Sequence, residues 1–181
     1  MRELSLNVMD VAQNSISARA TLIEIAVIGG GDSLVITIRD NGCGMEPEML
    51  RQVTDPFFTT RTTRQVGLGI PLFKMAAEMT GGSFCIQSEP GRGTEVEARF
   101  VPSHIDMTPP GDMDETMLLL ITCNPDIDFV YTFQAEGRDF ILDTRELREV
   151  LGDEVALNDP DVAAWIREFL AEQPEITAGD P

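Results

Sequence analysis

The chain has 181 residues, 43% of them hydrophobic, and a formal charge of -18. That length and apolar content suffice for a buried core, with room for one domain or a domain plus a small appendage. A field of this sign argues against nucleic acid or anionic membrane as a partner, and neither an apolar run of about 18 residues nor a basic-then-apolar leader is present, so a cytoplasmic, non-membrane protein is expected. Cys43, Cys85 and Cys123 have no paired spacing, which points to reduced thiols and not to a disulfide framework or a zinc site. The charge is uneven: residues 1–101 carry 9 Lys+Arg against 12 Asp+Glu, and residues 102–181 carry 4 against 19.

Residues 5–19 read as a helix with Leu6, Met9 and Ile16 on one side and Asp10, Asn14 and Ser17 on another. Alternating runs at 21–28 and 34–39, separated by GGGDS, predict a β-hairpin. Pro47 opens a short helix to about Thr54, and a polar stretch follows from Asp55 to Gln65. Residues 67–80 carry Leu68, Leu72, Met75 and Met79 as a helical stripe that stops at Gly81-Gly82. Strands at 83–88 and 94–101 flank the turn EPGRG. The Pro- and Gly-rich segment 102–114 is expected to be a linker between a domain at 1–101 and a small acidic α+β region at 115–175. In that region, strands are expected at 116–122, 126–134 and 139–143, then helices at 144–151 and 159–172, with a disordered end. The fold class expected is an α/β (α+β) two-layer sandwich with a mixed sheet.

Four segments carry chemistry only when taken together. Asp10 and Asn14 stand four residues apart, so both project from one helix face. Mg²⁺ takes oxygen ligands and keeps several waters, and the Asn14 amide oxygen can supply one ligand. Asp10, one turn earlier, can orient or deprotonate a water or hydroxyl attacking a terminal phosphate. Asp40-Asn41-Gly42-Cys43-Gly44 follows a strand, and Gly42 and Gly44 permit a close backbone approach to a flat ligand. The Asp40 carboxylate can accept from the exocyclic amine of adenine, where guanine has no donor, which selects ATP over GTP. Gly67-Leu68-Gly69 opens a helix whose backbone N–H groups and dipole suit phosphates. Arg61 and Arg64, in the loop TTRTTR, can close over those phosphates as a lid.

The ordered set Asp10-x-x-x-Asn14, Asp40-x-Gly42-x-Gly44, DPFFTT at 55–60, Gly67-Leu68-Gly69 and Gly91-x-Gly93-Thr94 resembles the N, G1, F, G2 and G3 boxes of the GHKL superfamily. The resemblance covers residues 1–101 and implies the Bergerat fold, with ATP–Mg²⁺ bound between helices at the sheet edge under a mobile lid. Position by position it implies Asn14 as the Mg²⁺ ligand and Asp40 as the adenine reader. Gly42, Gly44, Gly67 and Gly69 would shape the pocket, and Thr94 would support the adenine end. The stretch QNSISARA is similar to the MutL type of N box as much as to the kinase type. Gln65-Val66 depart from the GTG start of the histidine-kinase G2 box, and Asp10 stands where hydrolysing members commonly have Glu.

What this implies is an ATP–Mg²⁺ protein that donates phosphate in trans to a partner protein, as a histidine- or serine-type protein kinase. The only histidine, His104, is expected in a loop, so the phosphoacceptor is expected on the partner. The alternatives are an ATP-gated switch with slow hydrolysis, near MutL or gyrase, and a non-catalytic nucleotide sensor whose acidic C-terminal region docks a partner. A homo-oligomer is compatible with each.

Overall fold

The computed structural model describes residues 3–55 and 68–173. In chain order, α1 (Leu4–Ser17), β1 (Leu22–Gly30), β2 (Ser33–Asp40), α2 (Pro47–Gln52), α3 (Gly69–Met79), β3 (Ser83–Glu89) and β4 (Gly93–Phe100) make up the first part. Then come α4 (Met113–Cys123), β5 (Asp128–Ala135), β6 (Arg138–Asp143), α5 (Thr144–Leu151) and α6 (Pro160–Ala171). The strands form one six-stranded mixed sheet in the order β3-β4-β2-β1-β5-β6. Only the β1–β5 pair is parallel; the other pairs are antiparallel.

The two-residue period of the strands sorts their side chains onto two faces. One face stacks Ile86, Val96, Ile38, Ile25 and Tyr131 in a row across five strands, each paired with the next. The helices cover this face, and Leu4, Val8, Val11, Ala12, Phe73, Ala77, Met117, Leu120 and Ile121 are buried against it. The opposite face carries Thr37, Arg39, Glu95 and Glu97, with the Arg39 Nε donating to Glu95 at 2.7 Å. The result is the expected two-layer sandwich.

Three expectations are corrected. Residues 113–123 form a helix where a strand was expected at 116–122. The run TMLLLITC is apolar enough for either, but Met113, Thr116, Met117, Leu120 and Ile121 are the buried positions, at helical spacing. The Asp112 carboxylate also accepts from the Glu115 N–H at 2.9 Å, capping the first turn. In α1 the buried stripe is Leu4, Val8, Val11, Ala12 and Ser15, and Leu6 is exposed; in α3 it is Ile70, Phe73 and Ala77, while Leu68, Met75 and Met79 of the expected stripe are exposed.

The acidic C-terminal segment joins the same sheet. β5 pairs with β1 from Leu22↔Asp128 to Ile28↔Gln134, and α4 packs beside α1. Residues between the two parts are also tied down: the Leu4 and Ser5 amides donate to the carbonyls of Pro109 and Pro110 at 2.8 and 3.0 Å.

Candidate functional site

At one end of the sheet the covered face changes from apolar to polar within a single step along three adjacent strands. The row Ile86, Val96, Ile38 gives way to Ser88, Thr94 and Asp40, held side by side by the pairings Ser88↔Thr94 and Asp40↔Thr94. Above this row lies the C-terminal half of α1. A cavity of about 110 Å³ opens between them, with Ile38, Val96, Met45 and Ile70 as apolar walls and Asp40, Thr94 and Asn14 as polar lining.

Asp40 is buried, at 8% exposure, and both carboxylate oxygens are engaged. Oδ2 accepts from the Ser15 hydroxyl at 2.6 Å, and Oδ1 accepts from the Gly42 N–H at 2.8 Å. These two bonds satisfy the desolvated charge and fix the plane of the carboxylate, yet each oxygen retains a lone pair for a further donor. Asn41, next in the chain, is structural: its Oδ1 accepts from the amides of Thr21 and Leu22, and its Nδ2 donates to the Thr21 hydroxyl.

The loop after β2 is strapped on both sides. The Cys43 amide donates to the Ala18 carbonyl at 2.9 Å, and the Gly91 amide donates to the Cys43 carbonyl at 2.7 Å. A Cβ on Gly42 would lie 2.8 Å from both the Cβ and the carbonyl oxygen of Ala18, so only hydrogen fits between the loop and α1. Gly44 has φ +69°, and a Cβ there would overlap the Glu89 carbonyl. The glycines therefore let the loop lie close to α1 on one side and the β3–β4 turn on the other.

Ser88 binds the third side of this frame. Its hydroxyl accepts from the Met45 amide at 2.8 Å, lies 3.0 Å from the Gly93 carbonyl and makes a 2.8 Å bond with the Thr94 hydroxyl. Neither Ser88 nor a role for Ser15 emerged from the sequence. The register across the EPGRG turn, which sets Ser88 opposite Thr94, is the signal that could have found Ser88.

Asn14 lines the same cavity, and its side-chain Nδ2 is buried without a hydrogen-bond partner. An amide not consumed by internal bonds remains available to a ligand. Among the described residues no cluster of three or more His, Cys, Asp or Glu is placed to hold a metal. The unpartnered Nδ2 is a donor and suits an acceptor on a ligand, whereas a cation here would draw on the Asn14 Oδ1 and on a ligand's own oxygens, as Mg²⁺ does beside phosphates. Asp10, one turn earlier, is exposed and sits against the start of α3, where a Cβ on Gly69 would lie 3.0 Å from the Asp10 Cβ. Leu68 gives α3 no side-chain cap, which leaves the first N–H groups of this helix without that partner. Pro71, in the first turn, needs no partner.

The structure thus brings together Asn14, Asp40, Gly44 and Thr94 around the cavity, with Gly42 bonded to Asp40 outside the lining, and places Asp10 against Gly69. Arg61, Arg64 and Gly67 lie outside the described residues. His104 falls in a turn, its amide donating to the Val101 carbonyl at 3.0 Å. No helix among the described residues is long and apolar enough to cross a membrane.

Known proteins resemble this chain in sequence and in fold. The chain is 35% identical over 94 residues to the signal transduction histidine-protein kinase AtoS of Escherichia coli, a match covering 51% of the chain and 15% of the kinase. It is 30% identical over 93 residues to the sensor histidine kinase ZraS of Salmonella typhi, covering 51% of the chain and 20% of that kinase. The chain therefore spans about a fifth or less of the length of these relatives. Among solved structures, the Aquifex aeolicus MutL ATPase domain, complexed with ADP, superposes with a TM-score of 0.52 over 93% of the chain and 88% of that domain. Its sequence identity is 14%, so this likeness speaks for the fold. The profile of the histidine kinase-, DNA gyrase B-, and HSP90-like ATPases matches residues 1–104, and the chain belongs to that family.

Proposed function

We propose that the cavity under α1 binds the adenine of ATP, and that the protein, in the cytoplasm, passes the terminal phosphate in trans to a partner protein. The observation that carries this reading is Asp40: a buried carboxylate lining an apolar-walled cavity, oriented by Ser15 and Gly42 with lone pairs to spare. An adenine amino group donates into that position, whereas guanine presents a carbonyl, and two acceptors facing each other repel. Thr94, braced by Ser88, supports the same end of the ring.

With the base at Asp40, the phosphates would run toward Asn14 and the start of α3. The Asn14 amide oxygen would hold Mg²⁺ together with phosphate oxygens and water, and bound Mg²⁺ would supply neutralisation of phosphate charge. The N-terminal amides of α3 at Gly69 would add backbone donors and the helix dipole. Leu68 precedes that helix, and Gly67, Arg61 and Arg64 would complete the site, the two arginines as a lid.

Membership of the family and the similarity to sensor histidine kinases support phosphate transfer. A second reading, ATP hydrolysis by a slow switch, is favoured by Asp10, an exposed carboxylate held against Gly69 where attacking water could be oriented. Incubation with γ-labelled ATP in a cytoplasmic extract separates them. Transfer predicts label on a protein other than this chain, and hydrolysis predicts free phosphate with no labelled protein.

A further inference from the structure

On the far side of the sheet from β3, the edge strand β6 and helices α5 and α6 enclose a groove of about 680 Å³. Four large apolar side chains in it are solvent-exposed: Ile141 at 62%, Val150 at 86%, Val155 at 37% and Trp165 at 47%. Single exposed apolar residues are ordinary on a protein surface, but a contiguous apolar groove marks a binding surface. The groove is also firmly built. Trp165 stacks on Phe169 at 5.4 Å, Phe169 meets Phe140 edge-on at 6.0 Å, and Asp143 and Asp159 cap α5 and α6.

Its rim is of one sign. Arg145 is paired with Asp143 at 2.8 Å, and Arg148 is turned inward to Asp128 at 2.7 Å and the Pro125 carbonyl. Glu146, Glu149, Asp153, Glu154 and Asp161 are all exposed, and none forms an ion pair among the described residues. Both cations of α5 are thus paired with aspartates, Arg145 at a half-exposed site, and the unpaired charges named around the apolar floor are anions.

We propose that the groove between α5 and α6 docks an amphipathic helix of a partner protein, with apolar residues on one face and Lys or Arg on its flanks. Lining from α5 and α6 over an apolar floor suits the i, i+4, i+7 ridge of a third helix, and the acidic rim suits cationic flanks. A second copy of this chain fits poorly, because a two-fold contact would bring acidic rim against acidic rim in a chain of net charge -18. The surface requires no nucleotide, so its test is independent of the ATP site.

Trp165 is the only tryptophan in the chain, which makes the groove its own reporter. The probes are two synthetic helical peptides, one with Leu on one face and Lys on the other, and a matched peptide with Glu in place of Lys. In the full-length protein, the Leu/Lys peptide should shift Trp165 emission to the blue and bind at least about tenfold more tightly than the Leu/Glu peptide. The double variant Ile141→Ser/Val150→Ser alters only exposed side chains, and it should weaken Leu/Lys binding by about tenfold, as should Glu146→Lys/Asp161→Lys. Equal binding of the two peptides, no emission shift, or affinity unchanged in the Ile141/Val150 variant would overturn the proposal. So would concentration-dependent self-association in sedimentation that the same Ser variant abolishes, since the occupant would then be a second copy.

Discussion

The Ser15 hydroxyl on α1 donates to Oδ2 of Asp40 at the end of β2, at 2.6 Å, across 25 residues of chain. This bond joins the helix layer to the sheet at the cavity lining, and it sets the direction in which Asp40 accepts. Asp40→Asn replaces an acceptor by an amide that can present a donor, so ATP affinity should fall by about 1.5–3 kcal/mol, roughly ten- to a hundredfold. Ser15→Ala leaves the charge but frees its orientation, and the loss should be smaller, about 1 kcal/mol. Titration calorimetry on both variants checks the order.

Gly42 and Gly30 offer a contrast within one protein. A Cβ at Gly42 meets Ala18 at 2.8 Å, whereas one at Gly30 meets nothing within 4 Å. Gly42→Ala should therefore lower stability by about 1–3 kcal/mol through overpacking and weaken nucleotide binding by displacing the loop, while Gly30→Ala should leave binding unchanged. Thermal melts with and without ATP separate the two effects.

Much of this was legible in the sequence. Alternation of apolar residues placed the strands, whereas the paired glycines after Asp40, expected to let backbone approach a flat ligand, are packed against Ala18 and Glu89 of the protein itself. The helix at 113–123 was not legible as such, because a continuous apolar run satisfies both periods; what decides it is the Asp112 cap and packing against α1. Ser15 and Ser88 were silent for a different reason. A serine's role depends on which acceptor the fold brings to it, and Asp40 and Thr94 reach them only through helix-on-sheet packing and strand register.

Deleting residues 105–181 should not leave a folded ATP-binding unit. The cut would open the β1 edge along seven paired positions and uncover the core that Met117, Leu120, Ile121, Phe129 and Tyr131 fill. Unpaired edges and exposed core of that extent favour aggregation. A soluble 1–104 fragment with native-like ATP affinity and a cooperative melt would show instead that the two parts are separable.

Asp10→Asn should keep ATP binding, since Asp10 is exposed and lies outside the cavity lining. Transfer or hydrolysis should fall by about 10²–10⁴-fold if Asp10 acts as base. Single-turnover phosphate release and calorimetry on the same preparation report the two properties; unchanged turnover would remove Asp10 from the chemistry.

Asp114 gives a pH dependence. Burial holds its carboxyl above the ordinary value, and the neighbouring Arg138 offsets this only in part. The folded state then holds the Asp114 proton more tightly than the unfolded chain does, so this contribution favours the fold below the raised value and is lost as pH rises through it. Asp114→Asn, which can still accept from Arg138, should remove that slope, so that its melting temperature gains on the wild type as pH rises from about 4 to 7.

The most direct test is calorimetric titration of ATP and of GTP, each with and without Mg²⁺, into the wild type and Asp40→Asn. The account predicts Mg²⁺-dependent binding of ATP, weak or absent binding of GTP, and roughly ten- to hundredfold weaker ATP binding in the variant. Binding that does not distinguish ATP from GTP, or that is indifferent to Asp40, would contradict it.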